Sequence, residues 1–167
     1  AISYVGQRGE KGNPPYAGTD SSVRIRYWQW PYWDRDSVYF VSNTGLGRAG
    51  YLRARAFYDE YRNLLNSYDD ATYTTQVKPS SFSSPYEDYT GGGSAEWGMP
   101  IGSRHSLRTV FHVKQDNHQE HNIGEPIREQ QGWITSLGAE DSVVLSSRLS
   151  LVAGIGYEHQ LTTKAQG

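Results

Sequence analysis

The segment His118-Gln119-Glu120-His121, with His112 and Asp116 nearby, is the densest group of metal-ligating side chains in the chain. A helical zinc site needs H-E-x-x-H or H-x-x-E-H, which sets both imidazoles on one helix face. The spacing here is neither, and on an extended segment His118 and His121 point to opposite sides. A hydrophilic loop with no resident metal and no cofactor is expected. Asp69-Asp70, Glu87-Asp88 and Glu140-Asp141 are paired acids. Glycoside hydrolysis, though, needs two carboxylates at a fixed separation, which neighbours in sequence do not define. The chain has no G-x-S-x-G, no P-loop and no cysteine, and so lacks the usual signatures of nucleophilic and phosphate chemistry. Gly91-Gly92-Gly93 has no following helix and lysine with which to cradle a phosphate. No catalytic residue is expected, and the chain reads as a binding or transport protein rather than an enzyme.

Two other groups of side chains suit binding. Arg24, Arg26, Arg53, Arg55, Arg108 and Lys114 are spread along β-like runs, in reach of carboxylates such as Asp59 and Glu140. Trp28, Trp30, Tyr32 and Trp33 crowd around Pro31. Amphipathic rings of this kind either stack on sugars or anchor at a membrane interface. Composition narrows the choice. The hydrophobic fraction is 36%, yet there are thirteen Tyr and five Trp against one Met, with eighteen Gly and seven Pro. Many turns and many amphipathic aromatics fit a carbohydrate-binding β-sandwich or a β-barrel with aromatic girdles. The net charge of −2 and the lack of a basic run give no reason to expect a nucleic-acid partner.

These groups must be positioned by strands, and Tyr51–Asn63 shows how. Leu52, Ala54, Ala56 and Tyr58 fall on one side of an extended chain, and Arg53, Arg55, Phe57, Asp59 and Tyr61 on the other. Arginines two apart opposite small apolar residues suit a wall with lipid outside and a wet lumen inside. Similar alternation runs through 23–30, 37–46, 88–97, 106–115, 131–145 and 149–157. Leu149, Leu151, Ala153, Ile155 and Tyr157 give the cleanest apolar series. Short turns are expected at 47–50, 99–103 and 146–148, and long polar links at 64–87 and 116–130. Short turns alternating with long links are the habit of outer-membrane barrels. No apolar run is long enough for a membrane helix, which says nothing about a barrel.

The ordered series Trp28–Asp34, Ser37–Phe40, Arg55–Asp59, Asn63–Tyr73 and Phe111–His118, with the hairpin around Leu145–Tyr157, resembles the barrel of TonB-dependent outer-membrane receptors. The likeness spans about Ile2 to Gln160. Such receptors combine a 22-stranded barrel, a plug in its lumen and a motif that engages TonB. The resemblance implies an all-β, antiparallel, up-and-down transmembrane barrel, or a segment of one, of about eight strands. Residues 1–167 would be barrel portion without a plug, either a piece of a longer receptor or eight strands closing on their own.

It further implies the outer membrane of a Gram-negative bacterium, with lipid, an iron chelate or similar small ligand, and TonB (through a plug) as partners. Ligand-binding positions would lie on the long links at Tyr68, Asp69, Asp70, Tyr73, His118 and His121. Interface aromatics would be Trp28, Trp30, Trp33, Tyr58, Trp97, Trp133 and Tyr157. A soluble carbohydrate-binding β-sandwich is the alternative, and would gather Leu107, Phe111, Leu149, Leu151 and Ile155 in a dry centre.

Overall fold

The computed structural model describes residues 1–166. It consists almost entirely of strands: β1 (Ile2–Gln7), β2 (Lys11–Gly12), β3 (Tyr27–Trp30), β4 (Trp33–Gly45), β5 (Tyr51–Tyr68), β6 (Phe82–Ile101), β7 (His105–Glu120), β8 (Arg128–Ser146) and β9 (Leu149–Ala165). All pair antiparallel in one up-and-down sheet of order β1-β4-β5-β6-β7-β8-β9. The short β2 and β3 pair with each other, and β3 continues along β5 beyond β4. The nine strands therefore fill seven columns, where the sequence suggested about eight. The sheet is open, since β1 and β9 each pair on one side only. Closure of this chain on itself is not what the structure shows.

Strands run further than the sequence pattern indicates. β5 has 18 residues, β6 has 20 and β8 has 19. The long polar links shrink accordingly, from 64–87 to 69–81 and from 116–130 to 121–127, and the middle turn moves to 102–104. Polar residues such as Asn63, Asn66, Asn117 and Gln119 belong to the ladder, because their backbone groups pair with the next strand whatever their side chains. Links 13–26, 69–81 and 121–127 lie at one end of the sheet, and the tighter links 46–50, 102–104 and 147–148 at the other.

Register determines what each face carries. One row reads Ala54, Ala95, Phe111, Leu137, Tyr157 across five strands. A row on the other face, five residues along β5, reads Ser37, Asp59, Thr90, Asp116. The apolar face is uncovered: Ile155 is 80% exposed and Leu137 58%. Among the described residues the only buried hydrophobic side chain is Leu65. Leu107, Phe111, Leu149, Leu151 and Ile155 thus form no dry centre, and no second sheet lies over them.

One irregularity bears on the aromatic cluster. Between Gln29–Asn66 and Trp33–Asn63 the β3–β4 side has one more residue than β5, a bulge at Pro31-Tyr32. The triple glycine, by contrast, keeps regular pairing with Ala56, Phe57 and Tyr58. It permits close approach, since a Cβ at Gly92 would sit 2.5 Å from the Val113 carbonyl and 3.0 Å from the Phe57 ring. The link 46–50 is tightest at Gly50, where φ is +92° and a Cβ would meet the Gly98 carbonyl at 1.9 Å. Gly50→Ala is accordingly expected to destabilise the sheet by about 2 kcal/mol or more. Denaturant titration of the refolded chain reads this, with Gly47→Ala, open to solvent, as the milder control.

Candidate functional site

The charged face holds the polar chemistry. Asp59 on β5 accepts from Arg35 at 2.7 Å, Ser37 Oγ at 2.5 Å and Tyr39 Oη at 2.8 Å, all three from β4. Glu96 on β6 accepts from Tyr51 Oη at 2.7 Å and Arg53 at 3.2 Å. Arg108 meets Glu140 at 2.6 Å, and Lys114 meets Asp116 at 2.8 Å. Of the cations singled out by sequence, Arg108 is the one that meets Glu140. Asp59 takes Arg35 instead of the cations singled out by sequence, because Arg35 lies one register step away on the same face. Each half-exposed pair is weak on its own, because water screens it. Their larger effect is to neutralise a face that would otherwise repel itself.

The histidines separate. His118 lies on β7 with Nδ1 2.5 Å from Asp88 and its ring 6.0 Å from that of Tyr86. His121 follows the strand, and its backbone carbonyl accepts from Ser84 Oγ at 2.8 Å. Among the described residues no group of three or more His, Asp or Glu could hold a metal ion.

Link 69–81 is organised by its first acid. The nearly buried Asp69 carboxylate accepts from the Val77 and Lys78 N–H groups at 2.9 and 3.0 Å and from Ser81 Oγ at 2.5 Å. The Ser81 hydroxyl and these N–H groups hold its pKa well below the usual carboxylate range. Asp70 accepts from the hydroxyl and N–H of Thr72, which likewise lower its pKa. Tyr73, at φ 54°, packs edge-on to Tyr27 and Tyr68. Of the proposed ligand positions, Tyr68, Asp69, Asp70 and Tyr73 are thus brought together as the framework of a loop, with Asp69 turned inward.

The aromatics divide by face. Tyr58, Trp97, Trp133 and Tyr157 project from the apolar face by register. Tyr58 stacks on Tyr89 at 6.4 Å, and Trp97 Nε1 donates to the Ala49 carbonyl beside a tight link. Trp28, Trp30 and Trp33 lie instead on the charged face toward the long links. They form an edge-to-face series ending on Tyr61, with centroid spacings of 6.1, 5.7 and 5.4 Å. Residues three apart normally face opposite ways in a strand. The bulge restores Trp33 to the side of Trp30, and Pro31 was its sequence signal. Lys11 Nζ sits 4.3 Å from the Trp30 ring and 3.6 Å from that of Trp33, and Arg26 lies 4.5 Å from the Trp28 ring. Sequence reading did not single out Lys11, Tyr61 or Arg35, since only register reveals their neighbours.

The arrangement is a charged wall leading up to an aromatic arc with cations over its rings. No family model, no curated protein and no solved structure matches the chain.

The Asp69 contacts carry a pH dependence. A carboxylate whose native pKa is depressed adds order that is complete above its unfolded value of about 3.9 and fades only as pH falls through the lower native value. Hydrogen exchange should find the Val77 and Lys78 amides protected at neutral pH and still protected near pH 4. In Asp69→Ala they should exchange faster by about ten-fold or more at every pH, because their acceptor is gone.

Proposed function

We propose that this chain is part of the barrel wall of an outer-membrane receptor of the TonB-dependent type, which takes up a scarce nutrient such as a ferric siderophore. One observation carries the reading: the apolar face has no covering layer, while the opposite face pairs its charges. In water, a sheet built this way would expose Phe111, Leu137, Leu151 and Ile155 side by side, well beyond the scattered apolar residues of an ordinary surface. Hydrocarbon outside and water inside satisfy both faces at once.

Strand length adds support. At about 3.3 Å per residue, strands of 16–20 residues reach well past the roughly 30 Å hydrocarbon thickness, which about ten tilted residues cross. On the lipid side, Asp36 and Glu60 share a row with Tyr89, and Asp34, Arg62 and Glu87 follow in the next row toward the long links, beyond Tyr58 and Tyr89. Polar belt, aromatic pair and apolar band then come in the order of a membrane profile.

In this reading links 13–26, 69–81 and 121–127 face outward and meet the ligand, the charged face lines the lumen, and tight links face the periplasm. Uptake draws its energy from TonB through a plug, and neither is formed by the described residues. A β-sandwich needs a second sheet on the apolar face, and the described residues form one sheet alone.

Reconstitution tests this. Ile155→Arg places a charge in the apolar band and should cost about 2–4 kcal/mol of stability in bilayers. Ser136→Arg, on the charged face within reach of Glu158, should be tolerated. A chain that is monodisperse without detergent, with both variants equally stable, would overturn the proposal.

A further inference from the structure

At the long-link end, Arg24, Arg26 and Lys78 line one cavity of about 490 Å³, together with Trp28, Tyr68 and Phe82. None of the three cations forms an ion pair with a carboxylate among the described residues. Arg26 lies over the Trp28 ring, and Lys78 Nζ donates to the Asp69 backbone carbonyl at 2.8 Å. The carboxylate in the wall is that of Asp69, whose oxygens are already taken by Val77, Lys78 and Ser81. Elsewhere on the charged face Arg35, Arg53, Arg108 and Lys114 meet acids at 2.6–3.2 Å, while Arg55 and Lys11 lie singly over aromatic rings. Here three cations without a carboxylate partner share one concavity, and aromatic rings wall it.

We propose that this cavity binds a small multiply charged anion with a planar π face, of the aryl polycarboxylate kind. Guanidinium forks accept a carboxylate through two parallel N–H donors, and aromatic walls stack a ring that plain anions lack. The proposal rests on the receptor reading in one respect, that the cavity opens outward to a soluble ligand. A phosphorylated lipid headgroup shares the anionic chemistry but not the ring.

The full chain in detergent micelles is titrated with trimesate, its neutral analogue trimesamide, the ring-free anion tricarballylate and inorganic phosphate, following tryptophan fluorescence. Trimesate is expected to bind about ten-fold or more tightly than each of the other three. Arg24→Gln with Arg26→Gln should weaken it by about ten-fold or more, as expected for lost charge-assisted contacts. Lys78→Gln alone, a milder change, should weaken it several-fold if the double variant fails to fold. Arg148→Gln, on the tight link 147–148 at the opposite end of the sheet, should leave trimesate binding unchanged.

Equal affinity for trimesate and trimesamide, or no effect of the cavity variants, overturns the inference. Phosphate binding as tightly as trimesate overturns it in favour of headgroup phosphates. A chain that inserts into bilayers yet fails these titrations loses the anion site alone. One that passes them while staying monodisperse without detergent loses the receptor reading alone.

Discussion

The backbone ladder is the constraint on which everything else depends. Six antiparallel pairings carry one register across the sheet, shifting only near the two ends of the β8–β9 ladder, and between those shifts a period of two assigns each side chain to a face. A slip of one residue would exchange the faces wholesale. Arg53, Asp59 and Glu96 would move among Leu52, Ala56 and Trp97, losing their partners. With almost no buried apolar core, this sheet is specified by what each face meets, so register stands where jigsaw packing stands in a globular domain.

The charged face explains why register is held so firmly. Its ion pairs are cross-strand contacts: Arg35 with Asp59, Arg53 with Glu96, Arg108 with Glu140. Each is weak alone, yet each is correct in one alignment only, and together they resist slippage. The glycines at 91–93 contribute differently. Lacking side chains, they let β5 and β7 approach, and Phe57 lies over Gly92 where a Cβ would intrude. That contact fills the face without adding charge.

Much of this was legible in the alternation. The two faces of β5, β7 and β9 follow directly from Leu52/Arg53, Leu107/Arg108 and Leu149/Ser150, because period two is a strong signal wherever hydrophobicity differs between faces. Strand ends were not legible. Asn63, Asn66, Asn117 and Gln119 resemble loop residues in composition, yet a ladder pairs backbone rather than side chains. The site was read only in part. Extended geometry already set His118 and His121 on opposite sides, whereas the inward turn of Asp69 depends on the Val77, Lys78 and Ser81 donors that only the folded loop brings to it. The Trp28–Trp33 group was visible as a cluster, but its face depended on a one-residue bulge that simple alternation counts wrongly.

The distribution of unpaired charge makes the long-link end different from the rest of the wall. Along the strands, acids and bases neutralise one another across a few ångströms, which leaves little field for a ligand. Near link 69–81 the local acids serve the loop instead: Asp69 holds Val77, Lys78 and Ser81, and Asp70 holds Thr72. Their oxygens accept from backbone amides and hydroxyls, and Lys78 is near enough to help lower the Asp70 pKa. The same contacts fix the loop's shape, so Lys78 is presented from a pre-ordered segment. A site assembled this way pays less ordering entropy on binding than a free loop would. The positive charge of the cavity and the order of the loop therefore have one origin, an aspartate that caps its own chain.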